Sequence, residues 1–516
     1  MKANRLLVFG TSSDAGKSSI VTAICKIMSR NYKTAPFKAQ NMSLNSWVNP
    51  DGKEISYAQV IQAWAAGADP IPEMNPVVLK PKGDSFCQVI VMGEHYADRS
   101  AGNYYASIEE MAAILNGALS KLDDEYEVVI MEGAGGAAEI NLYDRDIVNV
   151  GTARITDAPI VIVGDIERGG VFASLYGTYM LLPDDVKKNI KGFIINKFRG
   201  DSRILEPGLK QLEELTGVPI LGIMPYFRLR IPAEDSMSFK EKCGSGSVPA
   251  EKKKRSTGLE IAVIQFPKIS HFNDFEILEN EALVRYVDIL GDIDNIGNNG
   301  SLGNNGGLGN IGSLGSLGNP DLIILPGSGT PLSDLAALKE SGIAEQIKAA
   351  AGKIQIIAVG EGYQMLGKKL TGPDGKSVDG LGLLDCETVY TKEEGYSEKP
   401  QRVSLKVKAC GPMLAAVDGI TLNGFTAHSG STTTVSPVFG ADGACSKDGT
   451  VIGTSIHGLF DNKPFRVALM KHLAEKKGIP YAEEEEFTMD DGFEELAQVF
   501  EANVDVEAIY KIMGLK

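Results

Sequence analysis

The residues best suited to chemistry stand at the ends of short apolar runs. Leu6-Leu7-Val8-Phe9 stops at Gly10; Thr11-Ser12-Ser13-Asp14-Ala15 follows, then Gly16-Lys17-Ser18-Ser19. A glycine loop that closes on Lys-Ser and runs into apolar residues at helical spacing (Ile20, Val21, Ile24, Cys25, Met28) can wrap its N–H groups and a helix N-terminus around a phosphate. Gly10, Thr11, Asp14, Ala15, Gly16, Lys17, Ser18 and Ser19 are therefore nucleotide-binding candidates. Lys17 would reach the β- and γ-phosphates, and the Ser18 hydroxyl would ligate Mg2+. Five residues, rather than the common four, separate Gly10 from Gly16. A glycine-rich turn without a ligand is the bland alternative.

A second group of polar strand ends points the same way. Val128-Val129-Ile130-Met131 ends in Glu132-Gly133-Ala134-Gly135-Gly136, and a carboxylate at a parallel strand's tip is where such proteins place a second metal ligand. Lys38 and Lys80 also end apolar runs. With Lys17 they suggest a site for anionic groups, against the alternative of solvated lysines. Asn196-Lys197, after Phe193-Ile194-Ile195, is positioned to grip a nucleotide base. The acids from Glu139 to Asp146 surround Arg145; they read either as substrate-orienting carboxylates or as a solvated loop. Two later strand ends carry His428 and His457.

Positioning these residues calls for an α/β chain: strands alternating with helices predict a P-loop parallel sheet with helices on both faces, followed by a second α/β domain. The expected division is a nucleotide domain over 1–235, a polar linker over 236–258, a second domain over 259–470 and a C-terminal helical tail over 471–516. Glycine at every third position from Gly297 to Gly318 marks a low-complexity insertion, 291–320, in the second domain. The 516 residues carry a net charge of −16, which argues against duplex nucleic acid or an anionic membrane as the main partner. No apolar run is long enough to span a bilayer, and the start of the first strand leaves no room for a cleaved signal. The six cysteines lack CxxC spacing. They predict reduced thiols in a cytoplasmic protein rather than disulfides or a zinc framework.

The segments GTSSDAGKS, PFKAQNMSLNS, MNPVVLKPKGD, EGAGGAAEINLYDRDIVN, DIERGGVFASL and INKFRGD together resemble cobyric acid synthases, and PKISHFNDFE, LPGSGTPLSDL, GYQMLG and HGLFD extend the likeness into the second half. The resemblance implies a first half that uses ATP and Mg2+ to phosphorylate a corrin carboxylate, so that ammonia can displace the phosphate. It places Lys38 and Asp146 among the catalytic residues, Asp146 near the acceptor, and Ser18 and Glu132 on the metal. The second half resembles a cobalamin-type class I glutamine amidotransferase. Here the chain departs from the family pattern Gly-Ile-Cys-Gly-Gly-Tyr-Gln: it reads Ala358-Val359-Gly360-Glu361-Gly362-Tyr363-Gln364. The nucleophilic cysteine is replaced by Gly360, so the elbow is degenerate and His457, the family histidine, has no thiol to activate. Free ammonia or a separate glutaminase would then supply nitrogen. Two other readings stand beside it: a ligase for another tetrapyrrole, and a non-catalytic P-loop ATPase scaffold. The oligomeric state stays open, a homo-oligomer included.

Overall fold

A computed structural model describes residues 2–43, 45–82, 86–100, 108–227, 258–290, 317–391, 401–481 and 488–516. Almost all of the expected linker and of the glycine-repeat insertion, and the acidic run near Glu483, lie outside the described residues. The chain forms two compact units, one of Met1–Phe239 with Glu486–Lys516 and one of Lys240–Glu485.

The first unit is built on six parallel strands: β1 (Asn4–Gly10), β2 (Thr34–Phe37), β3 (Val128–Glu132), β4 (Ile160–Asp165), β5 (Ile190–Phe198) and β6 (Ile220–Pro225). Their order is β6-β5-β4-β1-β3-β2. The chain leaves β1 toward β2 and β3 on one side, then crosses to β4 on the other, so β1 borders the switch point where open α/β sheets bind ligands. Each strand alternates its side chains between two buried faces. Leu6, Val8, Val128, Ile130, Val161 and Val163 pack with Ile20, Val21 and Ile24 of α1 (Lys17–Met28). Leu7, Phe9, Val129, Met131, Ile160 and Ile162 pack in a separate core on the opposite face. α2 (Tyr57–Ala65), α3 (Ile108–Glu125), α4 (Val150–Thr156), α5 (Val171–Leu181) and α6 (Glu206–Thr216) complete the crossovers.

The second unit repeats the principle with β7 (Glu260–Gln265), β8 (Leu283–Asp288), β9 (Leu322–Leu325), β10 (Gln355–Val359), β11 (Ala444–Cys445) and β12 (Val451–Thr454). The order is β8-β7-β9-β10-β12-β11, parallel except for the last pair. α7 (Glu361–Leu366) leaves β10 and α8 (Lys463–Lys477) follows β12.

The cysteine expectation is corrected here: Cys410 and Cys445, separated by 35 residues, form a disulfide. Cys25, Cys87 and Cys386 are free and buried. The pairing depends on tertiary approach rather than on sequence spacing. Gly411 and Gly449 pack so tightly that a Cβ on either would lie 2.5 Å from the other's Cα, and this brings the turn at Cys410 against the sheet edge. Among the described residues no helix is long and apolar enough to cross a membrane.

The stretch expected as one C-terminal tail is divided. α8 stays with the second unit, whereas α9 (Met489–Asn503) and α10 (Val506–Met513) belong to the first. Leu496, Ala497, Phe500, Ile509 and Met513 join the α1 face of the core, Arg30 pairs with Glu494 at 2.7 Å and Glu501 at 2.6 Å, and Asp505 donates its N–H to the Leu221 carbonyl at 2.8 Å. Gly222 makes this approach feasible, because a Cβ there would stand 2.3 Å from the Asn503 carbonyl oxygen and 2.6 Å from the Val504 Cα. Gly222→Ala should therefore push the last two helices off the sheet edge. We expect a loss of about 1–3 kcal/mol in urea unfolding and new proteolytic cuts within 488–516. Unchanged stability and an unchanged digest would show that the contact does not hold the segment.

Candidate functional site

β1 delivers the chain at the centre of the first sheet, and the loop after it turns sharply: Asp14 (φ 56°) and Gly16 (φ 93°) adopt left-handed backbone. Lys17 opens α1, almost wholly buried, and its Nζ donates to the carbonyls of Ser12 at 3.0 Å and Gly135 at 2.9 Å. A side chain at Gly10 would crowd it, with Cβ 2.9 Å from Nζ. From the end of β5, the Asn196 amide donates to the Ala15 carbonyl at 3.0 Å. Gly16 must be glycine, since a Cβ there would sit 1.9 Å from that amide nitrogen. Asn196 thus braces the loop, and its neighbour Lys197 lies 3.1 Å from the Asp165 carboxylate at the end of β4. Gly10, Thr11, Asp14, Ala15, Gly16, Lys17, Ser18, Ser19, Asn196 and Lys197 lie along one carboxyl edge of the sheet.

Glu132, at the tip of β3, is 1% exposed. Its Oε1 accepts from Ser18 Oγ at 2.9 Å and Lys38 Nζ at 2.6 Å, and its Oε2 accepts from Gln62 Nε2 at 2.5 Å. Burial pushes the carboxyl up, but the charge and hydrogen bond of Lys38, the Gln62 amide and the charge of Lys17 outweigh it and hold the group below its ordinary value. A hydroxyl and an ionised carboxylate side by side are the oxygen donors a hard divalent cation takes, so Ser18 and Glu132 fit the expected metal. Gln62 is the partner that the motif reading missed. Its signal is faint: Gln59 and Gln62, three apart, are the fully buried polar residues of the otherwise apolar α2.

The other predicted polar groups have local duties. Lys80 is buried against Glu54 in an ion pair. Asp146 accepts the N–H groups of Val148 (2.7 Å), Asn149 (2.8 Å) and Val150 (3.0 Å), capping the start of α4. Asn149 in turn bonds both backbone groups of Ala134, at 3.1 and 2.8 Å, and so props the glycine turn behind Glu132.

In the second unit β10 ends at Gly360, whose φ of 58° and ψ of −128° form a sharp strand-to-helix elbow into α7. His457 follows β12 and is fully buried. Its Nδ1 donates to Asp274 Oδ2 at 2.8 Å, and Asp274 Oδ1 accepts the Gly458 N–H at 3.0 Å. Nε2 faces the elbow, 3.0 Å from where a Gly360 Cβ would stand, and makes no hydrogen bond among the described residues. Asp274 lies in the PKISHFNDFE segment, but nothing in the sequence pairs it with His457, 183 residues away. An orienting carboxylate, a histidine and an elbow are all in place; the nucleophile is not.

Lys38 and Glu132 generate a test of the first cluster. In Lys38→Met the buried carboxylate loses its direct cation, which should cost about 3–5 kcal/mol near pH 7. Glu132's folded-state pKa is depressed. Its contribution is therefore present above the ordinary carboxylate range and lost as pH falls through the folded value. The variant's deficit should shrink in urea titrations as the pH is lowered from neutrality, because its buried Glu132, without the Lys38 charge, takes up a proton more readily. A deficit independent of pH would exclude the charge pair as its cause.

Residues 6–237 match the CobQ/CobB/MinD/ParA nucleotide binding domain, and residues 260–465 match the CobB/CobQ-like glutamine amidotransferase domain. The chain is 54% identical over its whole length, and the whole of the relative's, to a "Probable cobyric acid synthase" of Methanosarcina barkeri. It is 53% identical to one of Methanococcoides burtonii, covering 99% of this chain and 97% of the other, and 41% identical to one of Methanoculleus marisnigri over 98% of both. With both domains matched and full-length relatives at this identity, the chain belongs to the cobyric acid synthase family.

Proposed function

We propose that this chain is an ATP-dependent ligase that converts corrin-ring carboxylates into amides in cobalamin biosynthesis, taking cobyrinic acid a,c-diamide to cobyric acid. The observation that carries the reading is the convergence of Lys17, Ser18, Lys38 and Glu132 at the end of β1 and β3. A corrin carboxylate oxygen attacks the γ-phosphorus, the bond to the bridging oxygen breaks, and ADP departs. Ammonia then attacks the acyl carbon, inorganic phosphate leaves with the bonding pair, and a proton is released. Charge develops on phosphoryl oxygens in the first step, so fixed cations and N–H groups that need no rearrangement stabilise its transition state. Lys17 supplies a charge at the loop. Lys38, whose ammonium is already held in place by Glu132, supplies a second beside it. Bound Mg2+, on Ser18 and Glu132, would offset charge on the phosphates. Asp146, half-buried and with both oxygens engaged by backbone, would shape the loop that meets the acceptor.

The nitrogen comes from free ammonia or from a partner glutaminase, because thioester formation needs a sulfur nucleophile and Gly360 provides none. Incubation with ATP, Mg2+, cobyrinic acid a,c-diamide and either ammonium or glutamine, read by mass spectrometry, tests both parts. Amides should form with ammonium and not with glutamine, and Lys17→Ala should lower the rate by about 100-fold or more. ATP turnover that ignores the corrin and yields no amide would favour a scaffold. Product formed from glutamine, and abolished by His457→Ala, would overturn the nitrogen assignment.

A further inference from the structure

The amidotransferase elbow has lost more than its sulfur. The Glu361 side chain, 4% exposed, turns back into the site instead of toward solvent. Its Oε2 accepts the N–H of Ser328, at the turn after β9, at 3.1 Å. Its Oε1 accepts the N–H of Ser429, from a separate loop, at 3.1 Å. A buried carboxylate ordinarily needs a cation; among the described residues this one is held by two neutral backbone donors from different segments. N–H groups from two segments, each taking one oxygen, form a cradle for a planar two-atom head group such as a carboxylate or carboxamide beside a histidine. The location is that of the missing chemistry. A Cβ on Gly327 would lie 3.1 Å from Glu361 Oε2 and 3.3 Å from His457 Cε1, and a Cβ on Gly360 would lie 3.0 Å from His457 Nε2. Carboxylate, imidazole and the position that would bear a thiol border one space.

We propose that Glu361 is a tethered product mimic: its γ-carboxylate occupies the place where the side-chain amide of a free glutamine would bind, and so closes the unit to glutamine independently of the absent cysteine. The inference rests on the amidotransferase reading of the second unit and is separable from the ligase reading of the first. Glutamate, the product of glutamine hydrolysis, ends in the same carboxylate that Glu361 presents. A covalently attached occupant competes at an effective concentration in the millimolar range or above, which a weakly bound amino acid does not overcome.

The experiment compares full-length wild type with Glu361→Gly, Glu361→Gln, Gly360→Cys and the double variant Gly360→Cys/Glu361→Gly. Calorimetry with L-glutamine should show saturable binding to Glu361→Gly. Wild type and Glu361→Gln, whose carboxamide keeps the space filled, should bind at least about ten-fold more weakly. The double variant should release ammonia from glutamine, while Gly360→Cys alone should be alkylated by iodoacetamide yet remain inert to glutamine. Wild type binding glutamine as tightly as Glu361→Gly, or Gly360→Cys hydrolysing as fast as the double variant, would overturn the proposal. So would a folded Glu361→Gly, with native circular dichroism, that binds no glutamine. Should Glu361→Gly fail to fold, wild-type binding and Gly360→Cys turnover still decide between the outcomes. Ammonium-dependent amidation by the same preparations reports on the ligase reading alone.

Discussion

A carboxylate with almost no exposure cannot stay ionised unless something compensates its lost hydration, and the first unit is arranged around that requirement at Glu132. Lys38 from the end of β2, Gln62 from α2 and Ser18 from α1 all end on its two oxygens. Three elements that share no local sequence are thereby fixed relative to the tip of β3. The same contacts align Ser18 and Lys17 at the mouth of the loop. The site is organised in advance of any ligand, which is the condition under which fixed charge contributes most to a phosphoryl-transfer transition state.

The loop itself is supported on every side. Asn196 holds the Ala15 carbonyl, Lys17 bridges Ser12 and Gly135, and Asn149, at the cap of α4, fixes Ala134 behind Glu132 while Asp146 accepts the Asn149 N–H. A chain of backbone-to-side-chain bonds therefore runs from the acid-rich loop to the turn behind Glu132. Asp146 holds the backbone from Val148 to Val150 with both of its oxygens.

Much of this was legible in the chain. Apolar runs ending at Gly10, Lys38 and Glu132 predicted strand tips, because a parallel strand buried on both faces has to be continuously apolar and its first polar residue marks the edge; Lys80 failed the rule, since its strand continues to Lys82 and pairs antiparallel with the next. The Lys17, Ser18 and Glu132 cluster follows from that rule. What escaped were residues defined by tertiary approach. Gln62 sits in an Ala-rich helix with no motif of its own. Asp274 meets His457 across 183 residues, and Cys410 meets Cys445 through a glycine-to-glycine contact. The return of α9 and α10 to the first unit turns on Gly222, a strand glycine whose purpose appears only when the Asn503 backbone lies against it. The Glu361 substitution was visible as a departure from pattern; that its carboxylate would fold inward onto Ser328 and Ser429 was not.

The intactness of the dyad without its nucleophile has a physical explanation. Asp274 orients His457, but its second oxygen also satisfies the Gly458 N–H, so replacing it would orphan buried donors at a cost of about 1–3 kcal/mol. The elbow is likewise held by its surroundings. The Gly360 N–H bonds the Thr454 carbonyl at 2.9 Å, and Gly362 packs so near β9 that a Cβ would be 2.4 Å from the Leu325 carbonyl. Glycine at the elbow leaves these contacts intact, because they are made by the backbone of Gly360 and by Gly362. Glu361 then completes it, giving the Ser328 and Ser429 N–H groups the acceptor that burial demands. The Asp274–His457 pair and the elbow therefore stand as structure, since the bonds that fix them also hold the fold.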